Sequence, residues 1–245
     1  MKLSIITVVY NNVNFIESNL NSVHNQSFRD IQHIVIDGGS TDGTAEYLKS
    51  NHGFPIHLVS EPDNGIYDAM NKGIRLADGE IVGILNSDDI YAADNILEKI
   101  ITIFDNYNSE SVYGDLEYVD KSLKKTVRTW RSGKYRIGIM QEGWMPPHPT
   151  FFVKRSIYEK YGYFDTNYKI SADYELMLRF LHTNNVSTYY LPEVFVKMRS
   201  GGRSYKPGNY LKKYQEDLRA MAKNNIRNSL TTLLRKNLSK IPQFF

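Results

Sequence analysis

The chain predicts an α/β fold: a mixed, mainly parallel sheet flanked by helices, with an amphipathic helical appendage at its C-terminal end. Three observations carry that expectation. Short β-branched apolar runs alternate with segments of helical apolar spacing, in the order β-α-β-α-β-α-β over residues 3–85. The first run lacks a clean apolar–polar alternation, as expected of a parallel strand covered on both faces. A polar loop, often Gly-rich, follows each strand, and in open α/β sheets ligands bind beyond the carboxyl ends of the strands.

Leu3 to Tyr10 reads as the first strand, and Phe15, Ile16, Leu20 and Val23 mark the helix after it. Asn11-Asn12 follows this strand where a signal peptide would show small residues. His33 to Ile36 is a second strand, closed by Asp37-Gly-Gly-Ser-Thr-Asp-Gly43, in which Ser40 or Asp42 caps the next helix. Ile56 to Val59 is a third strand, followed by a turn at Glu61 to Gly65 and a helix marked by Ile66, Met70 and Ile74. Ile81 to Leu85 is the fourth, ending in Asn86-Ser-Asp-Asp89. Two adjacent carboxylates at a strand end suit a hard divalent cation, or else N-cap the helix that begins near Asp94. Beyond it, Val112 to Val119 and Lys125 to Trp130 read as paired strands, and residues 132–149 as an irregular binding loop. A strand at Thr150 to Val153, helices at Arg155 to Tyr161 and Ser171 to His182, and two late strands at Tyr189 to Leu191 and Val194 to Met198 complete the reading.

Composition bounds the function. The 245 residues are 41% hydrophobic and 23% charged, an ordinary globular balance with room for a real core. No cysteine is present, which excludes disulfides and thiolate metal sites and fits a reducing cytoplasm. No apolar run approaches the ~18 residues that span a bilayer. Neither the dinucleotide nor the P-loop glycine fingerprint occurs. Charge is uneven: residues 203–245 carry ten Lys/Arg against two Asp/Glu, and the rest 20 against 25. A basic tail on an acidic body points to a polyanionic surface, lipid or nucleic acid.

The segments Ile5 to Asn11, Asp37 to Gly43, Glu61 to Gly73, Asn86 to Asp89 and Ser171 to Glu175 together resemble family-2 inverting glycosyltransferases of the Rossmann-like GT-A fold. The match runs over roughly the first 200 residues and is similar to bacterial enzymes of exopolysaccharide and O-antigen repeat-unit assembly. The resemblance divides the chain into a GT-A catalytic domain (1–204) and a basic amphipathic tail (205–245). Within the domain, residues 1–107 form the nucleotide-sugar half and residues 108–204 the acceptor-side half.

It implies that Val8, Tyr10, Asn11 and Asp37 bind the nucleotide sugar, with Tyr10 and Asp37 at the nucleobase, the Tyr10 ring stacking and Asp37 accepting from a ring N–H. Asp63, Asp68 and Asn71 approach ribose, diphosphate or donor sugar. Asp89 binds Mn²⁺ or Mg²⁺, and Asp88 contacts ribose or the metal's water shell. Asp173 is the implied catalytic base, with Ala172 replacing the usual acidic neighbour. His148, Glu175, Arg199 and Arg203 stand on the acceptor or diphosphate side, and His148 is not a metal ligand. Each has a plainer reading: Tyr10 as a strand-end core aromatic, Asp37 as a turn former, Asp173 as a helix cap, Arg199 to Ser204 as a solvated hinge.

The expected activity is transfer from a nucleotide sugar, UDP-linked, to a glycan hydroxyl on a polyprenyl-diphosphate-linked acceptor at the inner membrane face. No nucleic acid is expected. The alternatives are a sugar nucleotidyltransferase, which would show a Gly-rich basic loop where Asn11-Asn12-Val13-Asn14 stands, and a non-catalytic nucleotide- or polyanion-binding module. From Leu211 to Leu238 apolar residues recur at helical spacing among lysines and arginines. That stripe fits an anionic membrane surface, and equally packing on the body or on a second protomer.

Overall fold

A computed structural model describes residues 1–50, 53–201, 208–240 and 243. Strands β1 (Leu3–Val9), β2 (Ile31–Asp37), β3 (Ile56–Ser60) and β4 (Ile81–Ile84) pair in parallel in the order β3-β2-β1-β4. Helices α1 (Val13–His24), α2 (Thr44–Lys49) and α3 (Ile66–Leu76) make the crossovers. The register sets Val9 opposite Asp37 and Ile6 opposite Ile84, so the strand ends and their loops open along one edge. After β5 (Ile90–Tyr91) and α4 (Ile96–Asn106) the chain adds β6 (Ser111–Val119), β7 (Thr126–Trp130), β8 (Phe152–Lys154) and β9 (Thr188–Arg199), and the sheet runs on from β4 in the order β8-β6-β9-β5, with β7 paired to β6 off that path. Strand β8 is antiparallel to β4 and β6, β9 is parallel to β6, and β5 closes the far edge. Helices α5 (Arg155–Tyr161), α6 (Ala172–Met177), α7 (Asn209–Lys223) and α8 (Ser229–Leu238) lie outside the sheet.

Successive side chains of β1 leave the sheet on opposite faces. Ile6 joins Met70, Tyr158, Leu176 and Met221 on one face, while Ile5 joins Leu97, Ile100 and Phe195 on the other. Gly73 lets α3 settle onto β1, since a Cβ there would lie 2.4 Å from Ile6 Cγ2.

The structure departs from the sequence reading in four places. The two late strands are one continuous β9, held together by register shifts against β6 near Asp115. The helix expected to run to His182 passes from α6 into a π-helical stretch, Leu178–Thr183. Strand β5 was not foreseen; a two-residue pairing leaves no pattern. Most consequentially, the tail is no separate appendage beginning at 205. Ala220, Met221, Ile226 and Leu233 are buried in the core cluster that also holds α6. The domain boundary expected at 204 therefore does not fall between two cores.

Candidate active site

A cleft of about 780 Å³ opens at the carboxyl ends of β1, β2 and β4. Val8, Tyr10 and Asn11 form one wall, Asp63 to Ile66 a second, and Asn86 to Asp89 with Arg199 a third. Tyr10 is 64% exposed, so its ring is a free face and not a core aromatic. Asn11 takes a left-handed φ of 50°, which its short amide tolerates, and its Oδ1 accepts from Thr41 N–H at 2.8 Å. Asp37 is fully buried at the end of β2, where the Ser60 hydroxyl (2.6 Å) and the Ser40 hydroxyl and N–H converge on its carboxylate. Gly38 allows the close approach of Asp63, because a Cβ there would lie 2.4 Å from Asp63 Oδ2.

The acidic loop is fixed from behind. Asn19 of α1 is fully buried and donates to the carbonyls of Asn86 (2.8 Å) and Asp89 (3.0 Å), while Thr7 donates to Asn19 Oδ1 at 3.1 Å. Asn12 Nδ2 donates to Ser87 Oγ at 2.7 Å. Nothing in the chain marks Asn19 beyond a polar residue on the apolar face of α1. Asp89 is fully buried and accepts from Asn86 Nδ2 at 3.1 Å. Burial, and next the charge of Asp88, push its carboxyl well above the usual range; burial also raises Asp88. Among the described residues Asp89 Oδ1 and Asn86 Oδ1 are buried without a hydrogen-bond partner. Two orphaned oxygens beside a second carboxylate fit a hard divalent cation, which completes its shell with phosphate oxygens and water. No described cluster of three His, Cys, Asp or Glu offers a closed metal cage.

A second cavity of about 440 Å³ meets the first at Ile66, Asn86 and Met198. Asp173, at the start of α6, lines it with His148, Tyr67, Trp130 and Met145. The Tyr67 hydroxyl lies 2.6 Å from Ile170 O and 3.2 Å from Asp173 Oδ1. Burial, with the Asp173 charge behind it, raises the Tyr67 phenol well above its ordinary value, so Tyr67 stays a donor. Burial lowers the His148 imidazole, against an opposing pull from Asp173. The loop before α6 hangs on Glu216 of α7, whose carboxylate accepts from the N–H groups of Lys169 (2.9 Å), Ile170 (2.8 Å) and Ser171 (3.0 Å).

Several expected site residues lie elsewhere. Asn71 does not face the cleft: buried, it exchanges both amide bonds, each 2.9 Å, with the backbone of Phe164 and braces α3. Asp68 lies outside the cleft walls, accepting from Asn64 N–H at 3.1 Å. Glu175 is not on the acceptor side; fully buried, it pairs with Arg179 and Lys223, each at 3.0 Å. Arg199, by contrast, does line the cleft, as the last residue of β9. Its guanidinium donates to Lys121 O (3.1 Å), Asp88 O (2.5 Å) and Ser18 Oγ (3.2 Å), steadying the acidic loop. Arg203 lies outside the described residues.

Residues 4–170 match the model of the family described as Glycosyl transferase family 2. The chain is 30% identical over 187 residues to an uncharacterized glycosyltransferase of Mycobacterium tuberculosis, covering 72% of this chain and 68% of that protein. It is 28% identical over 203 residues to a PGL/p-HBAD biosynthesis glycosyltransferase of Mycobacterium bovis, covering 81% and 77%. Among solved structures, Staphylococcus aureus TarS superposes with a TM-score of 0.71 at 17% identity, over 98% of this chain and 44% of that one. The mannosyltransferase PcManGT of Pyrobaculum calidifontis, solved with GDP-Man and Mn²⁺, superposes at 0.67 and 20% identity, over 99% and 72%.

Proposed function

The chain belongs to glycosyl transferase family 2 and has the GT-A fold, and from that premise we propose that it transfers a sugar with inversion from a nucleotide-sugar donor, UDP-linked, to a glycan hydroxyl. The observation that carries the reading is the meeting of two cavities at Asn86, one walled by the acidic loop and the other by Asp173.

Tyr10 offers a stacking face to the nucleobase, and Asp37, whose carboxylate lies behind the cleft wall in the hydrogen bonds of Ser40 and Ser60, is the acceptor proposed for its ring N–H. Asp63 and Asp88 face ribose. Asp89, with Asn86 Oδ1, would hold Mn²⁺ or Mg²⁺ against the diphosphate. When bound, such a cation supplies charge stabilisation to the departing nucleoside diphosphate. Asp173 accepts the proton of the acceptor hydroxyl as its oxygen bonds to the anomeric carbon. The bond from that carbon to the phosphate oxygen breaks on the opposite face, and its electron pair leaves with the diphosphate. Tyr67 holds the Asp173 carboxylate in place, and Glu216 holds the loop that carries it.

The acceptor in this reading is a lipid-linked glycan, the polyprenyl-diphosphate class, met at the membrane surface. What supports membrane contact is α8, where Leu230, Leu234 and Leu238 stay exposed on one face between the exposed Arg227 and Arg235. A panel of nucleotide sugars with Mn²⁺ tests the activity: slow release of UDP or GDP from one donor is expected, and is lost in EDTA. Binding without release from any donor would leave a nucleotide-binding module.

A further inference from the structure

The walls of the second cavity carry four basic side chains, Arg128, Lys213, Lys236 and Lys240, against the single carboxylate Asp173, and burial lowers the Lys236 ammonium to about 7. Beneath them Asp217 pairs with both Lys213 (3.0 Å) and Lys236 (2.9 Å), so one buried carboxylate serves two ammonium groups. The Lys236 ammonium also lies 3.2 Å from the Tyr174 ring centroid. Arg128 is positioned by Gln243 and by the Tyr118 ring, 4.6 Å from its centroid. Lys240 has no ion pair among the described residues, and it stands within electrostatic reach of Lys213, Arg128, Asp217 and Asp173. Burial, and next repulsion from Lys213, pull its ammonium down to about 8. Crowding cations into a partly desolvated cavity is costly unless an anion joins them.

We propose that this cavity is an acceptor subsite in which Lys213, Lys236, Lys240 and Arg128 hold a phosphate or diphosphate ester, so that the hydroxyl offered to Asp173 belongs to a phosphate-bearing glycan. The inference rests on the transferase reading and gives the acceptor's phosphate a place in the fold. Trp130 and Tyr214 supply flat faces for sugar rings beside the anion. The donor's own diphosphate is served by the other cleft, at Asp88 and Asp89, so these four cations are surplus to the donor.

Tryptophan fluorescence of the full chain tests it, because Trp130 lines the cavity and the chain has only two tryptophans. Geranyl diphosphate and glucose 1-phosphate are titrated in EDTA, with geraniol as the uncharged control. At least one phosphorylated probe should bind, geraniol should not match it, and Lys240→Gln should weaken binding about tenfold, as for one lost charge-assisted contact. Lys213→Gln carries the same expectation if Lys240→Gln fails to fold by circular dichroism. Preference for geranyl diphosphate assigns a lipid-linked acceptor, and preference for glucose 1-phosphate a phosphorylated glycan. Equal binding of geraniol, indifference to both substitutions, or displacement by UDP with Mn²⁺ overturns the subsite. Donor hydrolysis without phosphate binding removes the subsite alone; phosphate binding without any donor hydrolysis removes the transferase reading.

Discussion

The Tyr67 hydroxyl stands 3.2 Å from Asp173 Oδ1, tying the helix that follows the third donor-side loop to the helix that carries the candidate base. Two substitutions separate base from brace. Asp173→Asn keeps the shape of the side chain and should lower turnover by roughly 10²–10⁴, the loss expected of a general base, with donor affinity unchanged. Tyr67→Phe should lower turnover less, about tenfold, because the carboxylate survives but loses its orientation. Turnover near that of the unsubstituted chain in Asp173→Asn would move the base elsewhere.

Much of this site could be read from the chain, and the reason is local. The strand-end loops are sequence-contiguous: Asn86 to Asp89 begins two residues past the end of its strand, and Asp37 is the last residue of its own. What could not be read depends on distant partners. Asn71 sits in the same motif as Asp63, yet helical phase turns it toward Phe164, more than ninety residues on. Glu175 follows Asp173 by two positions, which on a helix points it to a different side, into Arg179 and Lys223. Glu216 on a basic helix reads as solvated until the loop at 169–171 is laid against it. The tail's apolar spacing announced amphipathic helices correctly, but periodicity names a face and not what covers it.

Asp89 should prove indispensable to cation-linked donor binding. With Asp89→Ala, calorimetric titration of UDP should lose most of its affinity in Mn²⁺ and little in EDTA, and transfer should vanish. Full transfer by the unsubstituted chain in EDTA would sink the metal assignment.

Glu216→Gln leaves the packing volume but offers one neutral oxygen where a carboxylate met three N–H groups. Loss of stability on the order of 2 kcal/mol is expected from urea unfolding, since hydrogen bonds to a charged group are the strong ones. Turnover should fall while the donor KM holds, because the displaced loop carries Asp173 and not the nucleotide cleft. A raised donor KM with normal turnover would show that α7 supports the other cavity instead.

Lys240 gives stability a pH dependence with a definite sign. Its folded value, lowered to about 8, lies below the ordinary 10.5. Between those values the unfolded chain binds more protons, so stability rises with pH; below them both states are protonated and the burial penalty is felt in full. Lys213 and Arg128 repel this ammonium, while Asp217 and Asp173 attract it. Between about pH 7 and about pH 9.5 urea unfolding should show a gain larger than that of Lys240→Gln by on the order of 1 kcal/mol, the remainder belonging to Lys236, which burial lowers to about 7. An equal gain in both proteins would assign the effect to other groups, Lys236 first.

The outward face of α8 can be tested without disturbing the fold, which truncation cannot do. Cutting the chain after Gly208 would remove Met221 and Leu233 from the core shared with α6, so lost membrane binding would report unfolding. Leu230, Leu234 and Leu238 are instead 61–70% exposed, and no described helix is long and apolar enough to cross a membrane. Contact with lipid would then be peripheral: partial burial of three leucines plus nearby basic residues, each contributing about 1 kcal/mol at an anionic surface. Replacing the three leucines with serine should weaken sedimentation with phosphatidylglycerol vesicles and leave the melting temperature and donor hydrolysis unchanged. Added salt should weaken binding of the unsubstituted chain, because the basic share is screened within a Debye length. Undiminished vesicle binding, joined to a shift from dimer to monomer on a sizing column, would instead give this face to a second copy of the chain.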